Sequence, residues 1–222
     1  MIPIADENPK GFIPFINYLL IATNLAVFIF LMPESVKELE KFYSTFGLIP
    51  QRLTRNPLNL HAYITIFTSM FLHGGLGHLL GNMLYLWIFG DNIEYLIGHR
   101  RYLIFYFTVG IAAAILQMTV RPDSAIPMVG ASGAISGVLG AYLLKFPRNR
   151  VSILFFIIFI IKIIRIPAII VLSLWFIFQL FSGYYSLVPG MEGGVAYFAH
   201  IGGFAAGFIL IKVFERHPGY KH

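Results

Sequence analysis

Apolar runs long enough to cross a bilayer recur along this chain, and charge closes most of them. Residues 14–32 carry no charged side chain and predict a first membrane helix. Residues 76–97 predict a second, with Asp91 and Glu94 marking its far end and Gly98-His99-Arg100-Arg101 following. Residues 102–120 predict a third. A fourth starts near Ser132 and ends by Lys145. A fifth opens at Pro167 and runs to about residue 181, and a sixth covers about 196–211.

The connections differ from the spans. In residues 33–66, Glu34, Lys37, Glu38, Glu40 and Lys41 alternate with Val36, Leu39, Phe42 and Phe46. This amphipathic pattern is too charged to span and predicts a helix lying at the interface, broken by Pro50 and Pro57. Residues 65–71 are apolar and lead into the second span. Residues 151–161 are apolar but too short to span, and Lys162 and Arg165 close them; they are expected to tuck against the bundle at the cytoplasmic interface. A loop rich in Gly and Tyr is expected over 182–194. The fold class is therefore an all-α integral membrane protein, a six-transmembrane-helix bundle with an interfacial first outer loop. It forms one domain over residues 1–222, with short tails at about 1–13 and 213–222. The first of these tails has a single lysine and no small-residue cleavage site, which argues against a cleaved signal peptide.

Composition agrees. The chain has 222 residues, 58% hydrophobic and 12% charged, with mean hydropathy +0.77. A soluble domain carries about 25% charged residues. The absence of cysteine excludes disulfides, a thiol nucleophile and thiolate metal sites. The net charge of +6 does not point to nucleic acid, because the basic residues sit at helix ends. Six spans put both termini on one side. With the termini inside, Lys10, Arg100, Arg101, Lys145, Arg148, Arg150, Lys212, Arg216 and Lys221 fall within; Lys37, Lys41, Arg52, Arg55 and Arg121 fall outside. That bias places both termini in the cytoplasm, with the cell membrane as the expected location.

Candidate chemistry comes from depth. The second, fourth and sixth spans run the same way, each with a polar marker at its inner end. Ser132 lies 13 residues before Lys145, His200 12 before Lys212, His78 13 before Asp91, and Asn82 12 before Glu94. At 1.5 Å per residue, each stands about 18–20 Å above the inner interface, or roughly 10 Å below the outer surface of a 30 Å core. Most small hydroxyl residues in membrane helices serve packing, and Gly133 and Gly137 form a G-x-x-x-G step beside Ser132. Two histidines, an asparagine and a serine at one depth on three parallel helices are harder to assign to packing. Polar groups there are stable when they face one another or a water-filled cavity. His200 precedes Gly203 and Gly207, so small residues meeting small residues between the fourth and sixth spans would bring it towards Ser132.

Serine needs a base to become a nucleophile, and a neutral histidine can serve. The Ser132 backbone N–H at a helix N-terminus, the Asn82 amide and a ring N–H of His78 can supply oxyanion donors. Asp91 and Glu94 lie at the wrong end for a third carboxylate, and Asp123 and Glu192 fall in loops whose reach the sequence does not give; the expectation is a Ser–His dyad. His73 is expected to be structural or at the loop edge. His61, His99, His217 and His222 are expected at interfaces or tails.

At these residues the chain resembles the rhomboid family of intramembrane serine proteases. The matching stretches are His73-Gly74-Gly75-Leu76-Gly77-His78-Leu79-Leu80-Gly81-Asn82, Gly130-Ala131-Ser132-Gly133, and Ala199-His200-Ile201-Gly202-Gly203-Phe204-Ala205-Ala206-Gly207. Together, in this order and spacing, they are highly specific. The resemblance implies Ser132 as nucleophile, His200 as general base, and His78 and Asn82 at the oxyanion site. It implies single-pass membrane proteins as substrates, cut near the outer end of a locally unwound helix beside a small residue, without a cofactor. The fifth span and the loop 182–194 would form a lateral gate and cap. One stretch departs from the family: where many members carry Trp-Arg in the first outer loop, this chain reads Tyr63-Ile64-Thr65-Ile66. The rivals are a proteolytically inactive client-binding member and, less favoured, a transporter. A transporter would call for mid-span Asp, Glu, Lys or Arg. No H-E-x-x-H is present for zinc.

Overall fold

The computed structural model describes residues 2–8, 11–33, 35–157, 160–188 and 194–215. Helices stand at all six expected positions: α1 (Phe15–Leu31), α5 (Leu76–Ile97), α6 (His99–Val120), α7 (Ser132–Lys145), α8 (Ala168–Ser186) and α9 (Tyr197–Phe214). Among the described residues, α6, α8 and α9 are long and apolar enough to cross a membrane. The long connection between α1 and α5 folds into α2 (Val36–Phe46), α3 (Pro50–Arg55) and α4 (Leu60–Thr68), followed by a single 3₁₀ turn at Ser69–Phe71. Ser35 caps α2 through the Glu38 N–H. Pro50 opens α3, where its missing N–H costs nothing.

The main core gathers Leu86, Phe89, Tyr102, Tyr106, Leu139 and Tyr142, all buried between α5, α6 and α7. A smaller core of Leu48, Leu53, Ala62, Ile66, Met70 and Ala114 fixes the α2–α4 connection to α6. Polar ties hold this connection as well. The Tyr43 hydroxyl donates to the His73 carbonyl at 2.7 Å, and the Thr68 hydroxyl donates to the Phe46 carbonyl at 2.6 Å. These bonds anchor the connection without a Trp-Arg pair. Thr65 and Ile66 are buried on α4, and Tyr63 and Ile64 face outward.

Glu94 is fully buried rather than a mere end marker. Its carboxylate accepts the Ile16 and Asn17 backbone N–H groups at 2.9 and 2.7 Å. It thus caps α1, whose own N-cap residue, Pro14, makes no side-chain cap. Asn17 in turn donates to the Leu86 carbonyl at 2.9 Å and accepts from the Tyr102 hydroxyl at 2.8 Å.

Two expectations are corrected. The chain is not all-α: β1 (Ile2–Ala5), β2 (Arg150–Ile157) and β3 (Ile160–Pro167) form an antiparallel sheet in the order β1-β2-β3. The stretch expected as a tucked apolar segment is most of a β-hairpin. Its β-branched and aromatic residues suit a pleated surface, and pairing with Pro167 through Ile160 satisfies the β2 backbone. Val151 and Ile153 point into the core. The second correction concerns the fifth helix, which continues through Ser186 into the expected loop. Gly183 allows this, because a Cβ there would already meet Ile201 at 3.2 Å. Glu192, His217 and His222 lie outside the described residues.

Helices α7 and α9 meet on glycine. A Cβ at Gly203 would stand 2.0 Å from the Gly133 carbonyl oxygen, and one at Gly207 1.8 Å from that of Gly137. From the other side, a Cβ at Gly140 would lie 2.1 Å from the Phe204 carbonyl oxygen. The two backbones therefore touch along a seam that admits no side chain.

Candidate active site

The glycine seam sets the site. Ser132 is the first residue of α7, and His200 lies in the first turn of α9. With the helices in backbone contact, the Ser132 hydroxyl and His200 Nε2 are 2.8 Å apart. The first turn of α9 is held by Gln117 of α6, whose side-chain oxygen accepts the Ala199 N–H at 3.1 Å. Ser136, one turn below, donates to the Ser132 carbonyl at 2.6 Å and takes no part in the pair.

The other nitrogen of the imidazole has a partner that the sequence reading missed. His200 Nδ1 lies 2.8 Å from the side-chain oxygen of Gln179 on α8, and Gln179 is only 5% exposed. An amide oxygen accepts but does not donate, so this contact places the proton on Nδ1. Nε2 is then left as an acceptor for the Ser132 hydroxyl. A signal for Gln179 existed in the sequence. It stands 12 residues after Pro167, which gives the same depth as the other four polar residues. Trp175 lies beside the imidazole at a ring separation of 6.0 Å, and Phe176 stacks on Phe204 at 4.2 Å.

His78 and Asn82 occupy one face of α5, one turn apart. The chain passes them just before α7 begins, at Gly130, whose φ of +124° is a conformation that favours glycine. A Cβ at Gly130 would stand 2.8 Å from two atoms of the His78 ring and 3.6 Å from Asn82 Nδ2. The bare backbone leading to Ser132 is therefore pressed against both side chains. His78 Nδ1 accepts the Gly74 N–H at 3.3 Å, which directs Nε2 towards Gly130. Asn82 is 8% exposed, and its Nδ2 has no hydrogen-bond partner among the described residues. A buried donor without an acceptor is costly in a resting protein and useful where an oxyanion forms.

Ser132 itself lines a small recess of about 40 Å³ with Gly130, Ser69 and Ala199. A larger cavity of about 580 Å³ begins at His78 and Gly74 and shares Met128, Val129 and Ala196 with the recess. Gln117, Asp123 and Tyr197 also line it. Of the remaining histidines, His73 is fully buried with its ring edge against His78, and not at a surface. His99 pairs with Glu94 at the far end of α5.

Comparison with known proteins places this arrangement. The family model described as "Rhomboid domain" matches residues 60–217. RHOMBOID-like protein 1 of Arabidopsis thaliana is 32% identical over 168 residues, covering 73% of this chain and 37% of that protein. Rhomboid protease GluP of Bacillus subtilis is 40% identical over 85 residues, 38% of this chain and 16% of its own length. The mitochondrial presenilin-associated rhomboid-like protein of Bos taurus is 31% identical over 104 residues, 46% of this chain and 28% of its length. The matched region spans well under half of each of these relatives. With 158 of its 222 residues inside the family model (217 − 60 + 1) and the three stretches that bear His78, Ser132 and His200 on adjoining helices, this chain is an integral membrane protein of the rhomboid family.

Proposed function

We propose that the protein is an intramembrane serine endopeptidase that cuts single-pass transmembrane proteins by a Ser132–His200 dyad. The observation that carries this reading is the 2.8 Å contact between the Ser132 hydroxyl and His200 Nε2 at the N-terminus of α7. The name of GluP as a rhomboid protease supports it. In this reading α1, α5, α6, α7, α8 and α9 are six spans with both termini cytoplasmic, and the Ser132 end of the bundle faces outward.

The steps follow from the geometry. Ser132 Oγ attacks the scissile carbonyl carbon as its proton passes to His200 Nε2. The carbonyl oxygen becomes an anion beside the Ser132 backbone N–H, Asn82 Nδ2 and the His78 ring. His200, now doubly protonated, keeps its Nδ1 proton on Gln179 and gives its Nε2 proton to the departing amine. A water molecule, reaching the site through the cavity at His78, then attacks the acyl-enzyme with His200 as base; the ester bond breaks and His200 returns the proton to Ser132 Oγ. Gln179 is a positioning residue here, because it holds the tautomer that lets Nε2 accept.

The test is labelling of the detergent-purified protein with a fluorophosphonate, which reacts with activated serines. Wild type is expected to label, and Ser132→Ala and His200→Ala are expected not to. Labelling that survives in Ser132→Ala overturns the assignment. Absence of labelling in folded wild type, with a smaller probe as well, favours the client-binding reading.

A further inference from the structure

The three-stranded sheet stands at the Lys145 end of the bundle, away from Ser132. Its two faces differ. One turns Val151 and Ile153 into the core. On the other, the strand register sets up two rows. Ala5, Ser152 and Arg165 form the first, nearest the base of the hairpin; Ile2, Leu154 and Ile163 form the second. Arg150 lies on the same face at the base. Lys162, opposite Phe155, falls on the inner face, whereas Arg150 and Arg165 are exposed on the outer one. So are Ile163, at 57%, and Ile2, at 45%. The outward face thus runs from a cationic base to an apolar far end, with no acidic residue among these positions.

Where this face lies relative to the bilayer follows from α8. It begins at Ala168, the residue after β3 ends, and its 19 residues rise about 28 Å, close to a hydrocarbon thickness of about 30 Å. The base of the hairpin is therefore at the membrane surface. Two further constraints fix the depth. Ile2, Ile4, Ile163 and Ile164 all stand exposed on the sheet, apolar surface that water would not tolerate. Yet among the described residues β3 is an edge strand, with one row of backbone N–H and C=O groups outside the sheet pairing, and hydrocarbon does not tolerate open edges. Only the headgroup region meets both demands, and there Lys and Arg find anionic phosphates.

We propose that the β1–β3 sheet is a lipid-docking surface. It lies at headgroup depth on the leaflet at the Lys145 end, and it holds anionic phospholipid headgroups at Arg150 and Arg165. This surface is independent of the chemistry at Ser132 and acts whether or not the protein cleaves substrates.

The chain has no cysteine, so single probes can be placed cleanly. Ile163→Cys and Ile2→Cys, each labelled with an environment-sensitive fluorophore, are reconstituted into nanodiscs of phosphatidylcholine and phosphatidylglycerol. Quenching is compared for aqueous iodide, for nitroxide at the headgroup of either lipid, and for nitroxide deep in the acyl chains. The expected result is strong quenching by headgroup nitroxide, little by iodide or the deep probe, and a greater effect from spin-labelled phosphatidylglycerol than from spin-labelled phosphatidylcholine. Adding Arg150→Gln and Arg165→Gln is expected to abolish that difference. Dominant iodide quenching at both positions would place the sheet in water and overturn the proposal. Dominant quenching by the deep probe would place it in hydrocarbon and overturn it equally. Equal quenching by the two spin-labelled lipids would overturn the anionic preference.

Discussion

Asn82 and Gln179 are both buried amides, and they do opposite things. Asn82 presents a donor with nothing to meet it, whereas Gln179 presents an acceptor already engaged by His200. Substituting each therefore has a distinct signature. Asn82→Ala is expected to lower turnover by about 10- to 1000-fold, since an oxyanion donor contributes up to roughly 4 kcal/mol; an unchanged rate in detergent would remove it from the site. Gln179→Leu is expected to lower kcat by about 10- to 100-fold with KM little changed, because the base loses its tautomer and not its substrate. Gln179→Glu keeps an acceptor at Nδ1 and is expected to recover much of that loss. If the Leu and Glu variants behave alike, the contact is packing only. The residues of the site differed in how readable they were. Ser132, His200, His78 and Asn82 stand out because each interrupts an apolar helix at one shared depth. Gln179 shares that depth, but on a helix running the opposite way, and nothing local says which neighbour a lone amide faces.

Among the elements, the α7–α9 seam carries the geometry. Its glycines leave no room for even a methyl group, so Gly207→Ala forces the helices apart at Gly137. Overpacking of this kind costs about 1–3 kcal/mol. Here it is expected to lower the unfolding temperature and also the fluorophosphonate labelling of Ser132. Gly81→Ala on α5 is the matched control, because a Cβ there meets nothing within 4 Å; it is expected to retain stability and labelling. Equal behaviour of the two variants would show that the seam is not what sets the pair. The six helices were legible as long, predominantly apolar runs. The sheet was not. An unbroken apolar run shows no alternation to separate strand from helix, and the partner of β2 on one side is β1, some 150 residues earlier in the chain. Nor was the role of Glu94 legible, since a carboxylate near a helix end reads as an interface marker until the start of α1 is seen resting on it.

For the molecule as a whole, the sheet end joins the first residues to the middle of the chain through Asp6. Its carboxylate accepts from Tyr142 and from Asn92, the latter at 2.8 Å, with Asp91 close by. Burial pushes the Asp6 carboxyl up to about 7, against the Tyr142 hydrogen bond that lowers it; the negative charge of Asp91 pushes it further up. A raised acid favours the docked state when protonated. The contribution is full below pH 4, declines as pH rises between about 4 and 7, and is gone above 7. Hydrogen exchange of residues 2–8, corrected for intrinsic rate, is therefore expected to show weaker protection at pH 8 than at pH 5. Asp6→Asn is expected to flatten that dependence, and a flat profile in wild type would refute it.

The pairing of β1 with β2 also sets an order of events during synthesis. Ile2 is made before its partner Leu154, which follows only after some 150 more residues. At roughly 5–20 residues per second, that interval is about 8–30 s. Through it, β1 has no mate, and by its end most of the helices are already complete. The sheet is thus a late closure, made only when β1 is met by a segment translated long after it.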